Sequence, residues 1–168
     1  SPFLQVIIGP RQVGKTTTTL KMLEESFENK FLYHSADQVF NATSSWLSEI
    51  WQESRREKKI LIIDEIQKLP ELLDEIHYMI EEYDVLFLLT GSSARKLKSQ
   101  NINLLGGRAR FLRFHPFTYI ELKDYFDIEK VVNYGLIPGI YFSEDPEKDL
   151  DAYLATYIQQ EIANEGLV

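Results

Sequence analysis

Cysteine is missing altogether from the 168 residues. That excludes a disulfide framework, a thiolate zinc site, an iron–sulfur cluster and a cysteine nucleophile, and it suits a reducing compartment. Glycine and proline are sparse, at 8 and 6 residues, so a disordered or fibrous chain is excluded as well. Long apolar runs are also lacking, Val85 to Leu89 being typical of what there is, whereas a membrane span needs about 20 such residues. Neither a membrane partner nor a secretory leader is expected, and the cytoplasm is the compartment that fits. Positive charge is short too. The 18 Lys and Arg against 26 Asp and Glu leave a net charge of -8 and a pI near 4.9. A nucleic-acid partner therefore has no support from overall charge, although a local basic patch is compatible with it. What remains is 44% hydrophobic and 26% charged, a soluble globular composition whose length makes one ordinary domain and rules out two large ones.

The apolar pattern alternates along the chain. Phe3 to Ile8 is almost wholly apolar and ends at Gly9-Pro10, as a strand buried on both faces would. Lys15 to Phe27 carries Leu20, Leu23 and Phe27 at helical spacing. Further strands are expected at Phe31 to His34, Lys59 to Asp64 and Val85 to Thr90. Helices are expected between them at Ala42 to Lys58, with Trp46, Leu47, Ile50 and Trp51 on one stripe, and at Leu69 to Glu82. Strand alternating with helix predicts right-handed crossovers and a mostly parallel sheet covered on both faces. Beyond these lie a short helical segment from Ser93 to Lys98, a strand at Arg110 to Phe114 and a helix from Thr118 to Phe126. A glycine- and proline-punctuated stretch, YGLIPGIY, and a helix from Pro146 to about Ile162 follow. Because the sequence opens without methionine almost on a strand and stops just after a helix, it reads as a piece of a longer protein.

Gly9-Pro10-Arg11-Gln12-Val13-Gly14-Lys15-Thr16 fits G-x-x-x-x-G-K-[ST] between a buried strand and a helix start, where a phosphate-binding loop has to lie. Glycines at both ends let the backbone wrap a phosphate closely, and the helix N-terminus adds partial positive charge. Lys15 supplies a cation for the β- and γ-phosphates, and the Thr16 hydroxyl is a magnesium ligand. Thr17, next in the chain, completes the candidate nucleotide-binding set. Ile60 to Ile63 then leads into Asp64-Glu65. Asp64 at a strand's carboxyl end is the second candidate magnesium ligand, and Glu65 the candidate that orients the water attacking a γ-phosphate. Considered alone, an acidic pair after a strand is equally a loop start. A glutamate there favours hydrolysis over phosphoryl transfer to another substrate, and no N-K-x-D guanine-reading motif occurs.

Leu88-Leu89-Thr90-Gly91-Ser92-Ser93 ends the fourth strand, and ligands in a parallel sheet bind at such ends. Ser92 is the candidate γ-phosphate sensor and Thr90 the next choice, the plain alternative being that Ser92 and Ser93 cap a helix. Arg108 and Arg110 follow Gly106-Gly107. An arginine there is a candidate for reaching the γ-phosphate of a neighbouring subunit, since its fork stabilises transition-state charge. His34, His77 and His115 have no ligand-like spacing and read as structural or solvent-facing.

Together the segments IIGPRQVGKTT, LIIDEIQKLPELLDEI, LLTGSSARKL and LLGGRARFLRFHPFTYIEL resemble the prokaryotic AAA-type ATPases known as predicted archaeal and bacterial ATPases. These usually join an N-terminal ATPase core to a C-terminal nuclease-like domain. YGLIPGIY followed by DAYLATYIQQEI is similar to that family's turn and the helix leading out of the core. The resemblance implies that residues 9 to 16, Asp64, Glu65 and Ser92 bind and hydrolyse ATP, and that Arg108 matches the family's glycine-arginine pair. Two departures stand out: Gln160-Glu161 lies where the family usually has an arginine-aspartate pair, and the C-terminal domain expected from the family does not follow in this sequence; nor does any arginine follow Arg113. The expectation is an α/β P-loop core of about five mostly parallel strands in the order 5-1-4-3-2. Residues 1–115 form the core, and residues 116–168 form a helical extension truncated before a further domain. Mg-dependent ATP hydrolysis is the expected activity, with Lys15, Ser92 and Arg108 acting on the phosphates and Glu65 on the attacking water. A slow-turnover switch acting on a partner protein or attached domain and an ATP-driven DNA-processing module are the alternatives. A homo-oligomer is compatible with all three.

Overall fold

The computed structural model describes residues 4–27, 30–38, 44–57, 60–83, 85–92 and 109–157. The chain divides into two compact units, Ser1–Phe114 and His115–Val168. The first is built on strands β1 (Leu4–Ile8), β2 (Phe31–Ser35), β3 (Ile60–Asp64), β4 (Phe87–Gly91) and β5 (Ala109–Arg113). Their order is β2-β3-β4-β1-β5, the one expected for the P-loop core that the family resemblance implies, and every pairing is parallel, as the alternating pattern predicts. Parallel neighbours cannot be joined by a hairpin, so helices α1 (Lys15–Phe27), α2 (Ser44–Glu57) and α3 (Leu72–Tyr83) carry the chain back between strands.

Side chains of a strand alternate between faces, and the apolar residues of β1, β3 and β4 serve both. Leu4, Val6, Ile8, Leu61, Ile63, Phe87 and Leu89 face Leu47 and Ile50 of α2 and Leu72, Leu73, Ile76, Met79 and Ile80 of α3 in one core cluster. Ile7, Ile62 and Leu88 point the other way and pack with Leu23 of α1. Trp46 and Trp51 are partly buried against the larger cluster, and Arg55 lies 5.2 Å over the Trp51 ring. Apart from Gln5 of β1 and the half-buried Ile60 of β3, the inner strands are buried, whereas β5, at one edge, is exposed from Arg110 to Arg113.

Helix α3 begins at Leu72, three residues later than its apolar spacing suggests, after a 3-10 turn at Ile66–Lys68. Pro70 is the reason: it pushes the preceding residue out of the α region, and Leu69 has φ -129 and ψ 56. In register, Ile8 stands opposite both Gly91 and Arg113, and Ser35 opposite Asp64. The chain therefore leaves β1, β3 and β4 at one common edge of the sheet, the carboxyl edge where ligands bind in such sheets.

The second unit is helical. Helix α4 (Tyr119–Leu122) opens on a capping box: Thr118 Oγ1 accepts from the Glu121 N–H at 3.3 Å, and Glu121 Oε2 accepts from the Thr118 N–H at 2.8 Å. The single helix expected to run to Phe126 is broken at Lys123, which has φ 47, and a 3-10 turn follows. Helices α5 (Ile128–Tyr134), α6 (Pro138–Tyr141) and α7 (Pro146–Tyr157) complete it. YGLIPGIY, expected only as a punctuated stretch, holds the end of α5 and all of α6. Burial of Leu122, Ile140 and Tyr141 explains that. The Tyr141 hydroxyl accepts from the Asp127 N–H at 2.8 Å and donates to the Tyr125 carbonyl at 2.7 Å, tying the short helices together.

Candidate functional site

The loop between β1 and α1 is shaped by two glycines. A Cβ on Gly9 would stand 3.0 Å from both the carbonyl carbon and the Cβ of Phe114, and closer still to the Phe114 oxygen. No side chain fits there. Gly14 has φ +87 and Gln12 φ 60, and left-handed residues of this kind turn successive N–H groups to one side of a loop. Val13 is buried and anchors the loop, while Arg11 is half-buried and Pro10, Gln12 and Thr17 are exposed. The first turn of α1 closes where the Thr18 N–H donates to the Gly14 carbonyl at 2.9 Å. Lys15 is buried, and its ammonium donates to the carbonyls of Gly9 at 2.9 Å and Pro10 at 2.8 Å, so it curls back along its own loop.

The carboxylate of Asp64 collects three hydroxyls. Its Oδ2 accepts from Thr16 Oγ1 at 2.8 Å and from the Tyr33 phenol at 2.7 Å, and its Oδ1 accepts from the Thr90 hydroxyl. A buried carboxylate needs such donors, and they come from α1, β2 and β4. Burial of the Tyr33 ring, then its bond to Asp64 and the charge of that carboxylate, push the phenol well above its ordinary value of 10.0. Tyr33 therefore remains a donor across the physiological range. Thr90 also accepts from the Glu65 N–H at 3.3 Å.

Glu65 follows with φ 56, a conformation that costs a non-glycine residue of order 1–2 kcal/mol and persists where surroundings enforce it. Gln12 and Glu65 are the non-glycine residues of positive φ among the described residues of the first unit, and both lie at this edge. The Gln67 amide donates to the Glu65 carboxylate and, at 3.0 Å, to Ser92 Oγ. Thus Thr16, Asp64, Glu65, Thr90 and Ser92 are linked by hydrogen bonds, most of them through Asp64 or Gln67. Arg108 and Ser93 lie outside the described residues, and Arg110 is exposed on β5.

Tyr33 and Gln67 are the site residues that sequence reading missed. Tyr33 looks like any strand aromatic until β2 is known to pair with β3. Gln67 carries a weak signal, a polar residue between Ile66 and Leu69, where every apolar neighbour is buried. The Thr16 hydroxyl and Asp64 carboxylate are hard oxygen donors already in contact, a set that fits a small divalent cation. Among the described residues no cluster of three or more His, Asp or Glu side chains forms a metal site of another kind, and no helix is long and apolar enough to cross a membrane. His34 is half-buried and stands edge-on to Trp46, and His77 lies 3.6 Å from Glu81 one turn on.

Residues 2–123 match the family model of the AAA domain. The chain belongs to the AAA domain family. Its first unit is thus an AAA-type P-loop core, the fold class that the sheet order and the loop after β1 indicate. This AAA domain also resembles a chain solved in work on the structural basis for katanin self-assembly. The TM-score is 0.51 at 20% identity, over 66% of this chain and 40% of the katanin chain. As 118 solved chains match, the fold is widely shared and does not by itself choose a function. No curated protein matches the sequence.

Proposed function

We propose that this AAA domain binds ATP with magnesium and hydrolyses it, as a member of the prokaryotic ATPase group that its motifs resemble. The observation that carries the reading is the contact between the Thr16 hydroxyl and the Asp64 carboxylate, 2.8 Å apart at the mouth of a loop that only glycine can close at Gly9. Magnesium, when bound, would neutralise phosphate charge. The residues that would hold it are Thr16 and Asp64, which span α1 and β3. Lys15 releases the Gly9 and Pro10 carbonyls to meet the β- and γ-phosphates, a charge-assisted exchange, while the loop amides and the helix N-terminus bind the remaining anionic oxygens. Glu65 accepts the proton of the attacking water, and Ser92 hydrogen-bonds the γ-phosphate. Arg108, immediately before β5, completes the site of a second copy. The self-assembly named for the katanin chain is consistent with that association.

Control of a partner or attached domain by bound nucleotide is the second reading. The observation favouring it is that one Gln67 amide links the Glu65 carboxylate to Ser92, so that hydrolysis answers to the bound nucleotide. A DNA-processing role gains nothing from the net charge of -8. Titration calorimetry with ATP and magnesium tests the common core. Lys15→Ala should lose about 30- to 100-fold in affinity, the worth of charge-assisted bonds to phosphate. Glu65→Gln should keep binding and slow hydrolysis by about 100-fold or more. No heat from the unmodified protein at millimolar nucleotide would refute the reading.

A further inference from the structure

We infer that Gln67 is a positioning residue that couples the γ-phosphate sensor to the water-activating carboxylate, an inference that rests on the ATPase reading of Glu65 and Ser92. Its amide nitrogen donates to the Glu65 carboxylate and to Ser92 Oγ, the latter at 3.0 Å, bridging the ends of β3 and β4. The orientation of that amide is dictated by chemistry, because an ionised carboxylate only accepts and so must meet the NH2 end. The carbonyl end, Oε1, is then buried with no hydrogen-bond partner among the described residues. Gln67 itself is only 9% exposed.

An unsatisfied buried carbonyl destabilises a fold. An apolar side chain of the same length would fill the space between Ile66 and Leu69, both buried, without that penalty. Packing therefore does not account for glutamine here, whereas linkage of two site residues does. Ser92 sits at the carboxyl end of β4, and Glu65 is held by its own left-handed backbone. A displacement of Ser92 toward a γ-phosphate pulls on the amide and changes how firmly the Glu65 carboxylate is held. Glu65 is thereby aligned for water only when the third phosphate is present.

Gln67→Met removes both donors and keeps the length and bulk of the side chain. Its melting temperature should equal or exceed that of the unmodified protein, and its ATP affinity should stay within about threefold, while single-turnover hydrolysis falls about 10- to 100-fold, as misplacement of a general base does. Gln67→Met combined with Ser92→Ala should be no slower than the slower single variant, because both break one linkage. Without nucleotide, the Gln67 side-chain amide signals, identified as the pair that Gln67→Met deletes, should shift in Ser92→Ala and in Glu65→Gln.

Unchanged hydrolysis in Gln67→Met, losses that multiply independently in the double variant, or amide signals indifferent to both neighbours would overturn the inference. A lowered melting temperature would overturn it as well, giving Gln67 a structural role. Glu65→Gln, measured alongside, separates this failure from failure of the ATPase reading. If Glu65→Gln hydrolyses ATP as fast as the unmodified protein, the reading fails and the inference with it. If Glu65→Gln is slow but Gln67→Met is not, the inference alone fails.

Discussion

Gly9→Ala is the substitution whose cost the geometry defines best. The new methyl carbon would lie 3.0 Å from two Phe114 carbons, whereas carbon atoms rest about 3.5–4.0 Å apart, so the ends of β1 and β5 must part by roughly 0.5–1 Å. Two backbone bonds meet there. The Phe114 N–H donates to the Ile8 carbonyl at 2.7 Å, and the Gly9 N–H to the Gly91 carbonyl at 3.3 Å. Phe114 cannot simply retreat, because its ring packs on the cluster of Ile7, Leu23, Ile62 and Leu88. Losing the longer bond costs about 1 kcal/mol and the overpacking about 1–3 kcal/mol, together about 2–4 kcal/mol. At about 4 °C per kcal/mol for a unit of this size, the melting temperature should fall by roughly 8–16 °C. Fluorescence is a suitable probe, since both tryptophans, Trp46 and Trp51, lie on α2 of the same unit. A melting temperature within about 2 °C of the unmodified protein would refute the claim that β1 and β5 close so tightly.

Other outcomes follow from single contacts. Tyr33→Phe deletes a 2.7 Å bond to the Asp64 carboxylate and should lower stability by about 1–2 kcal/mol, read as a reduced urea midpoint at unchanged slope. An unchanged midpoint would mean the bond has no net worth. For His34, burial lowers the imidazole pKa below its ordinary 6.5, with Glu53 opposing. As pH falls below that value the unfolded chain takes up the proton first, so stability present above it is lost down to the folded pKa. His34→Gln should flatten unfolding free energy against pH over that window, and an identical slope would deny His34 the effect. Arg108→Ala should bind ATP normally yet remove any rise of specific activity with protein concentration, and mixing it with Lys15→Ala should restore part of the activity. Activity that stays flat across dilution and is equal in Arg108→Ala would leave Arg108 an ordinary surface residue.

The sequence by itself determined the layers and where the loop between β1 and α1 needs glycine. Continuous apolar runs such as Leu61 to Ile63, alternating with helical stretches, point to a parallel sheet covered on both faces, while the order β2-β3-β4-β1-β5 is implied by the family resemblance and set by which strands pair. Glycine and lysine spacing around Lys15 is likewise local, because a phosphate loop is one short segment. What lay beyond sequence was every contact between residues far apart in the chain. Tyr33 meets Asp64 across 31 positions, and Gln67 reaches Ser92 across 25. Such meetings depend on register, since a shift of one residue along β2 turns Tyr33 to the opposite face of the sheet. The same holds for Gly9. Its place in the motif shows that a glycine belongs there, but only the packing of Phe114 against it shows that an alanine does not fit. Local pattern sets which segments become strands and helices, while pairing and burial decide which side chains share a hydrogen bond at the edge where those segments end.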